Sequence, residues 1–234
     1  MTGGAPDPAV LDWLAAARID PAVTALRPDY RALLLVVEGL VPGPSDASSE
    51  ALLEAAEQEA PPPDHPHARA WADAFRAFGA KPQRTRPSLT ALLRRVVDGL
   101  PRVDRLTDAY NAVSVRHAVP VGGEDLDAYR GPIRLTRAAG DEPFETVAAG
   151  EPVVEAPEPG EVVWRDDAGV TCRRWNWRQC TRTRLTAMTT RAVFVLDALE
   201  PMDDTALAAA GDELSTVLLD GSPHARLQRR VMPR

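Results

Sequence analysis

The apolar positions of the chain change period near residue 119. Before it they recur mostly at helical spacing; after it they fall in short runs separated by turn residues. In the first regime, residues 9–18 read as a short helix. "SEALLEAAEQEA" (49–60) reads as a second, stopped by "PPPDHP" (61–66). "HARAWADAFRAFGA" (67–80) sets Trp71, Ala74, Phe75 and Phe78 at i, i+3, i+4 and i+7, a stripe that packs a core. "PSLTALLRRVVDGL" (87–100) predicts a helix with Ser88 as N-cap and Leu89, Leu92, Leu93, Val96, Val97 and Leu100 on one face. Asp104 caps another, running to about His117 and burying Leu106, Ala109, Tyr110 and Val113. One run interrupts the series: "YRALLLVVEGL" (30–40) is continuously apolar and predicts a buried strand.

In the second regime "PIRLTRA", "EVVWRD", "GVTCRRW" and "RAVFVLDAL" read as strands, divided by Gly131-Pro132, Ala139-Gly140-Asp141, Pro159-Gly160 and Asp167-Ala168-Gly169. "WRDDAGVTCRRW" (164–175) predicts a hairpin. A last helix is capped by Asp203, lined by Leu207, Ala210, Leu214, Val217 and Leu218, and ended by Gly221. Helices first and strands later predict an α+β fold.

Charge is unevenly spread. The net charge is −7, and residues 1–60 alone carry ten acids against three arginines. Residues 173–191 hold Arg173, Arg174, Arg178, Arg182, Arg184 and Arg191 and no acid, and Arg226, Arg229, Arg230 and Arg234 follow near the end. The overall balance excludes a general DNA-binding protein, while the local cation suits one polyanion. No apolar run is long enough to cross a bilayer. The opening "MTGGAPDPAV" does not read as a secretory signal. Cys172 and Cys180 are the only cysteines, which predicts a reducing, cytoplasmic setting and neither a disulfide framework nor a metal site. His65 and His67 flank a proline and read as part of a solvated loop.

Strand alternation through "CRRWNWRQCTRTR" (172–184) sets Arg173, Trp175 and Trp177 on one face and Arg174, Asn176 and Arg178 on the other. The tryptophans fit a core; the Arg-Asn-Arg face fits either solvent or an amide, base or phosphate. P-loop, G-x-G-x-x-G, H-E-x-x-H and G-x-S-x-G motifs are missing. Ser114 and His117 are i, i+3 on one helix, with no third group to orient the histidine.

The ordered series "WADAFRAFGAKPQRTRPSLTALLRRV", "DAYNAVSVRHAVPVGGEDLD", "GDEPF", "PGEVVWRDDAGVTCRRWNWRQCTRT" and "RAVFVLDAL" resembles the B3/B4 domain. That domain is the editing module of the bacterial phenylalanyl-tRNA synthetase β subunit, and the chain looks like its free-standing relatives. The resemblance implies a mixed sheet flanked by helices. It divides the chain into a strand-helix segment (1–64) packed on the core, the B3/B4-like domain (65–200), and a C-terminal helix with a basic tail (201–234). It also implies hydrolysis of mischarged aminoacyl-tRNA in trans, with the tRNA acceptor end and its aminoacyl group as partner and no cofactor.

Residue by residue, the family's threonine-asparagine-tyrosine-valine becomes Tyr110-Asn111-Ala112-Val113. Its proline-leucine-histidine-alanine-phenylalanine-aspartate becomes Pro120-Val121-Gly122-Gly123-Glu124-Asp125. Its pocket histidine is therefore Gly122, and its later glutamate has no counterpart near Arg178-Gln179-Cys180. Asn111, Asp125 and Asn176 are the expected catalytic residues. Tyr110, Ser114, Gly122, Gly123, Glu124 and Arg174 are expected to bind substrate, with the glycines giving backbone N–H groups access to the ester carbonyl. Arg173, Arg178, Arg182 and Arg184 are expected to meet tRNA phosphates. A non-catalytic module that binds tRNA or an amino acid, and a small-molecule enzyme reusing the pocket, are the alternatives.

Overall fold

The computed structural model describes residues 7–232. The helical regime gives α1 (Pro8–Ala16), β1 (Arg18–Ile19), α2 (Pro21–Leu26), β2 (Arg31–Glu38), α3 (Ala47–Glu59), α4 (Pro66–Ala77), α5 (Ser88–Arg95) and α6 (Arg105–Arg116). The strand regime gives β3 (Val121–Asp125), β4 (Arg134–Arg137), β5 (Phe144–Ala148), β6 (Glu151–Glu155), β7 (Val162–Arg165), β8 (Val170–Arg173), β9 (Arg178–Gln179), β10 (Arg191–Ala198), α7 (Asp204–Asp220) and β11 (Arg226–Met232). This is the α+β fold that the change of period predicts.

Several starts rest on local caps. Asp104 accepts from the N–H groups of Leu106 and Thr107, and Asp203 from that of Ala206. Helix α5 departs from expectation. Pro87, not Ser88, holds its N-cap position, the helix tightens into a 3₁₀ turn after Arg95, and Val97 is 86% exposed. His67 is a second correction. It lies buried in α4, where its Nδ1 donates to Ala118 O (2.7 Å) and its Nε2 accepts from Trp71 Nε1 (3.1 Å) and Leu199 N (3.0 Å).

Two sheets position the site. One has the order β11-β2-β10-β3, every pair antiparallel. It draws on all three of the segments read from the sequence. The expected basic tail is strand β11, paired along β2. The other sheet has the order β1-β4-β7-β8-β9, with β5 and β6 as a separate hairpin. Strand β2 is buried along its whole length because both its faces are covered. Ala32, Leu34 and Val36 share a core with Leu135, Val162 and Trp164 of the second sheet and with Trp175 after β8. Leu33, Leu35 and Val37 pack with Leu106, Leu207, Leu214 and Leu218 from α6 and α7. A third core joins α3, α5 and α6 through Leu53, Leu89, Leu93 and Val115. Among the described residues no helix is long and apolar enough to cross a membrane.

Candidate active site

The two sheets do not close completely. A cavity of about 230 Å³ is lined by Gly122 and Glu124 of β3, Val195 and Asp197 of β10, Trp164 of β7, Cys172 of β8 and Gln179 of β9. Ser88, Ala91 and Leu92 of α5 and Tyr110 and Asn111 of α6 supply further wall, as do Trp175, Asn176, Trp177 and Arg178.

Strand alternation decides which side chains reach it. Glu124 lies opposite Val193, and Gly122 opposite Val195, so these residues share the cavity face with Asp197. Asp125 therefore points the other way. Its carboxylate accepts from Thr189 Oγ1 at 2.6 Å and from the N–H of Asp127, and it does not line the cavity. Residues 121–125 are a strand, so Gly122 and Gly123 sit within a backbone ladder against β10. Gly123 serves packing: a Cβ there would lie 2.8 Å from the Phe194 ring.

The segment after β8 breaks its alternation. Arg174 and Trp175 have φ of 49° and 67°, left-handed values that cost non-glycine residues about 1–3 kcal/mol each. The turn carries Trp175 into an aromatic cluster, with ring centroids 4.9 Å from Tyr30 and 5.3 Å from Trp71. It also puts Asn176, 9% exposed, on the cavity wall with its Oδ1 unpartnered.

Asp197 is the residue that the sequence reading missed, although a carboxylate inside the apolar run "RAVFVLDAL" was a signal. It accepts from Tyr30 Oη at 2.5 Å and, more weakly, from Asn176 Nδ2 at 3.4 Å. Trp164 also faces it, but the indole N–H lacks hydrogen-bond geometry to any partner. Burial pushes the Asp197 carboxyl up to about 7, against the opposing hydrogen bonds. Burial likewise raises Glu124, and pushes Tyr110 up to about 12 and the Cys172 thiol well above its usual range. A thiol raised in this way is a poor nucleophile. Asn111 makes no side-chain hydrogen bond among the described residues, which leaves its amide available to the cavity.

The other expected residues lie elsewhere. Ser114 is buried on α6 and donates to Val119 O at 2.6 Å, while His117 meets Glu213, so the two form no pair. Arg173 is buried between Glu155 and Glu161, and Arg182 grips the buried carboxylate of Asp166 with both terminal nitrogens. Neither guanidinium is free for a phosphate, because internal carboxylates consume both. Arg174 pairs with Glu161 and stacks 4.4 Å over Trp177. Arg191 is shared among Asp7, Glu38 and Asp127. Arg184 is exposed and makes no ion pair among the described residues. Arg178 reaches the cavity wall. No three His, Cys, Asp or Glu side chains gather as a metal site among the described residues.

The family model of the B3/4 domain matches residues 70–217. The chain belongs to the B3/4 domain family. Within this B3/4 domain the match takes in every cavity residue named above, but not Tyr30, which holds Asp197 from outside it. Among solved structures the chain is similar to an N-terminal fragment of the phenylalanyl-tRNA synthetase beta-subunit from Pyrococcus horikoshii. That likeness has 13% identity and a TM-score of 0.47, and covers 93% of this chain and 54% of the fragment. No curated protein matches the sequence.

Proposed function

We propose that this B3/4 domain hydrolyses the ester of a mischarged aminoacyl-tRNA in trans. The reading is carried by one observation: a buried carboxylate, Asp197, lines a cavity beside the amides of Asn111 and Asn176, and burial pushes it up to about 7. A general base works best when its pKa lies near the operating pH. Asp197 takes a proton from water, the water oxygen attacks the ester carbonyl, and the carbon–oxygen bond to the ribose breaks. Asp197 returns that proton to the ribose oxygen as it leaves, so the base is restored and no covalent intermediate is needed. The unpartnered amide of Asn111 donates to the carbonyl oxygen as charge develops there. Asn176 holds Asp197 and the substrate in place. Exposed Arg184 and the mouth residue Arg178 meet acceptor-end phosphates.

The test is amino-acid release from a panel of purified mischarged tRNAs. Asp197→Asn is expected to lower kcat by roughly 10²–10⁴ and Asn111→Ala by about 10². A second reading has its own support, since internal carboxylates hold Arg173 and Arg182. In it the cavity takes a free amino acid and no tRNA. No release from any tRNA in the panel, together with a rise in Tm on adding a free amino acid, selects that reading.

A further inference from the structure

Glu124 is the buried carboxylate on the cavity wall that the hydrolysis above leaves without a task. It is 3% exposed, and its Oε2 accepts from Tyr129 Oη at 2.6 Å and Thr183 Oγ1 at 2.8 Å. These are neutral donors. No cation pairs with Glu124 among the described residues. Burial without a partner pushes such a carboxyl toward its neutral form, and a cation entering the cavity would favour the ionised form and pair with it. Among the lining residues the sole cation is Arg178, and its guanidinium donates to Val147 O at 3.0 Å instead.

A second observation points to the same kind of ligand. Asn176, nine-tenths buried on the same wall, has an Oδ1 with no hydrogen-bond partner. Trp164, Trp175 and Tyr110 contribute aromatic surface, whose π faces attract cations. The wall is thus rich in acceptors and aromatic rings and poor in positive charge. A donor-rich cation complements it.

We propose that Glu124 selects an amino acid whose side chain is itself cationic, an ammonium or a guanidinium, which enters the cavity as the counter-ion that the fold omits. The inference rests on reading the cavity as the pocket of the aminoacyl group. It names a basic residue as the aminoacyl group, and it makes Glu124 a specificity determinant, not a participant in bond breaking.

Calorimetric titration with argininamide and citrullinamide separates charge from shape. Both carry the same α-ammonium and amide, and they differ in a guanidinium against a neutral urea. The intact chain is expected to bind argininamide roughly tenfold or more tightly than citrullinamide. Glu124→Gln, the neutral near-isostere, is expected to erase that preference while keeping the affinity for citrullinamide. Equal or tighter binding of citrullinamide, tighter binding of tyrosinamide, or no heat with millimolar argininamide overturns the proposal. Should Glu124→Gln fail to fold, the comparison of the two amides on the unaltered chain decides alone. A chain that prefers argininamide yet cleaves no aminoacyl-tRNA keeps this inference and loses the hydrolase reading. A chain that cleaves aminoacyl-tRNA without the preference does the reverse.

Discussion

Tyr30 donates a 2.5 Å hydrogen bond to Asp197, 167 positions further along the chain. It ties the residue preceding β2 to the penultimate residue of β10. Burial raises both groups, Tyr30 well above its usual range, so the phenol keeps its proton and remains a donor. The hydrogen bonds from Tyr30 and Asn176 lower the Asp197 pKa against the effect of burial.

Removing the donor therefore shifts the base. Tyr30→Phe is expected to raise the Asp197 pKa further and to move the acidic limb of the kcat/KM profile to higher pH. Activity at neutral pH falls while the alkaline plateau is largely kept. A pH–rate profile of both proteins checks this; an unmoved limb excludes Asp197 as the base.

The same burial makes stability depend on pH. Between 3.8, the ordinary value, and about 7, the folded chain binds more protons at Asp197 than the unfolded chain, so stability falls as pH rises. Glu124 acts in the same sense. His67 acts in the opposite one: burial lowers it from 6.5 to about 4, so stability gained from its neutral ring is lost on acidification through that range. Asp197→Asn removes one falling contribution. The variant is expected to match the parent near pH 4 and to exceed it by about 1–3 kcal/mol at pH 8, read from urea midpoints.

Arginines that look alike in the sequence part company in the fold. Arg182→Ala strands Asp166, 0% exposed, with its remaining backbone donors, and is expected to cost about 3 kcal/mol. Arg184→Ala is expected to change stability by less than about 0.5 kcal/mol. If tRNA binds, it reduces the salt slope of log K by about 1. Thermal melts and a salt titration separate the two.

Trp175→Ala empties the centre of the aromatic cluster and is expected to cost about 3–5 kcal/mol. It also frees the left-handed turn that aims Asn176, so turnover falls with stability. Trp175→Phe keeps more of both. Denaturant midpoints and deacylation rates on the two variants provide the comparison.

The core helices were legible because caps and apolar stripes agree, as at Asp104 with Leu106 and Val113. Strand β2 was legible from its unbroken apolar run. Strand β3 was not, because glycines are depleted in strands, whereas Gly123 is needed against Phe194. Strand β11 was hidden by its arginines, since β2 accepts it through backbone pairing irrespective of side-chain charge. The site was legible only in part. Asn111, Asn176 and Glu124 reach the cavity, but the choice between Glu124 and Asp125 is a matter of register, which no composition reveals. Period-2 alternation failed at Arg174 and Trp175 because two consecutive left-handed residues reset it.

The order in which β2 meets its partners bears on how the protein is made. Both neighbours of this strand, β10 and β11, are synthesised more than 150 residues after it. At ordinary translation speed the delay is on the order of ten seconds or more. For that time the nascent chain carries "RALLLVVE" with neither edge satisfied. Truncation before Arg226 leaves one edge of β2 permanently open, and a sharp fall in soluble yield is the expected outcome.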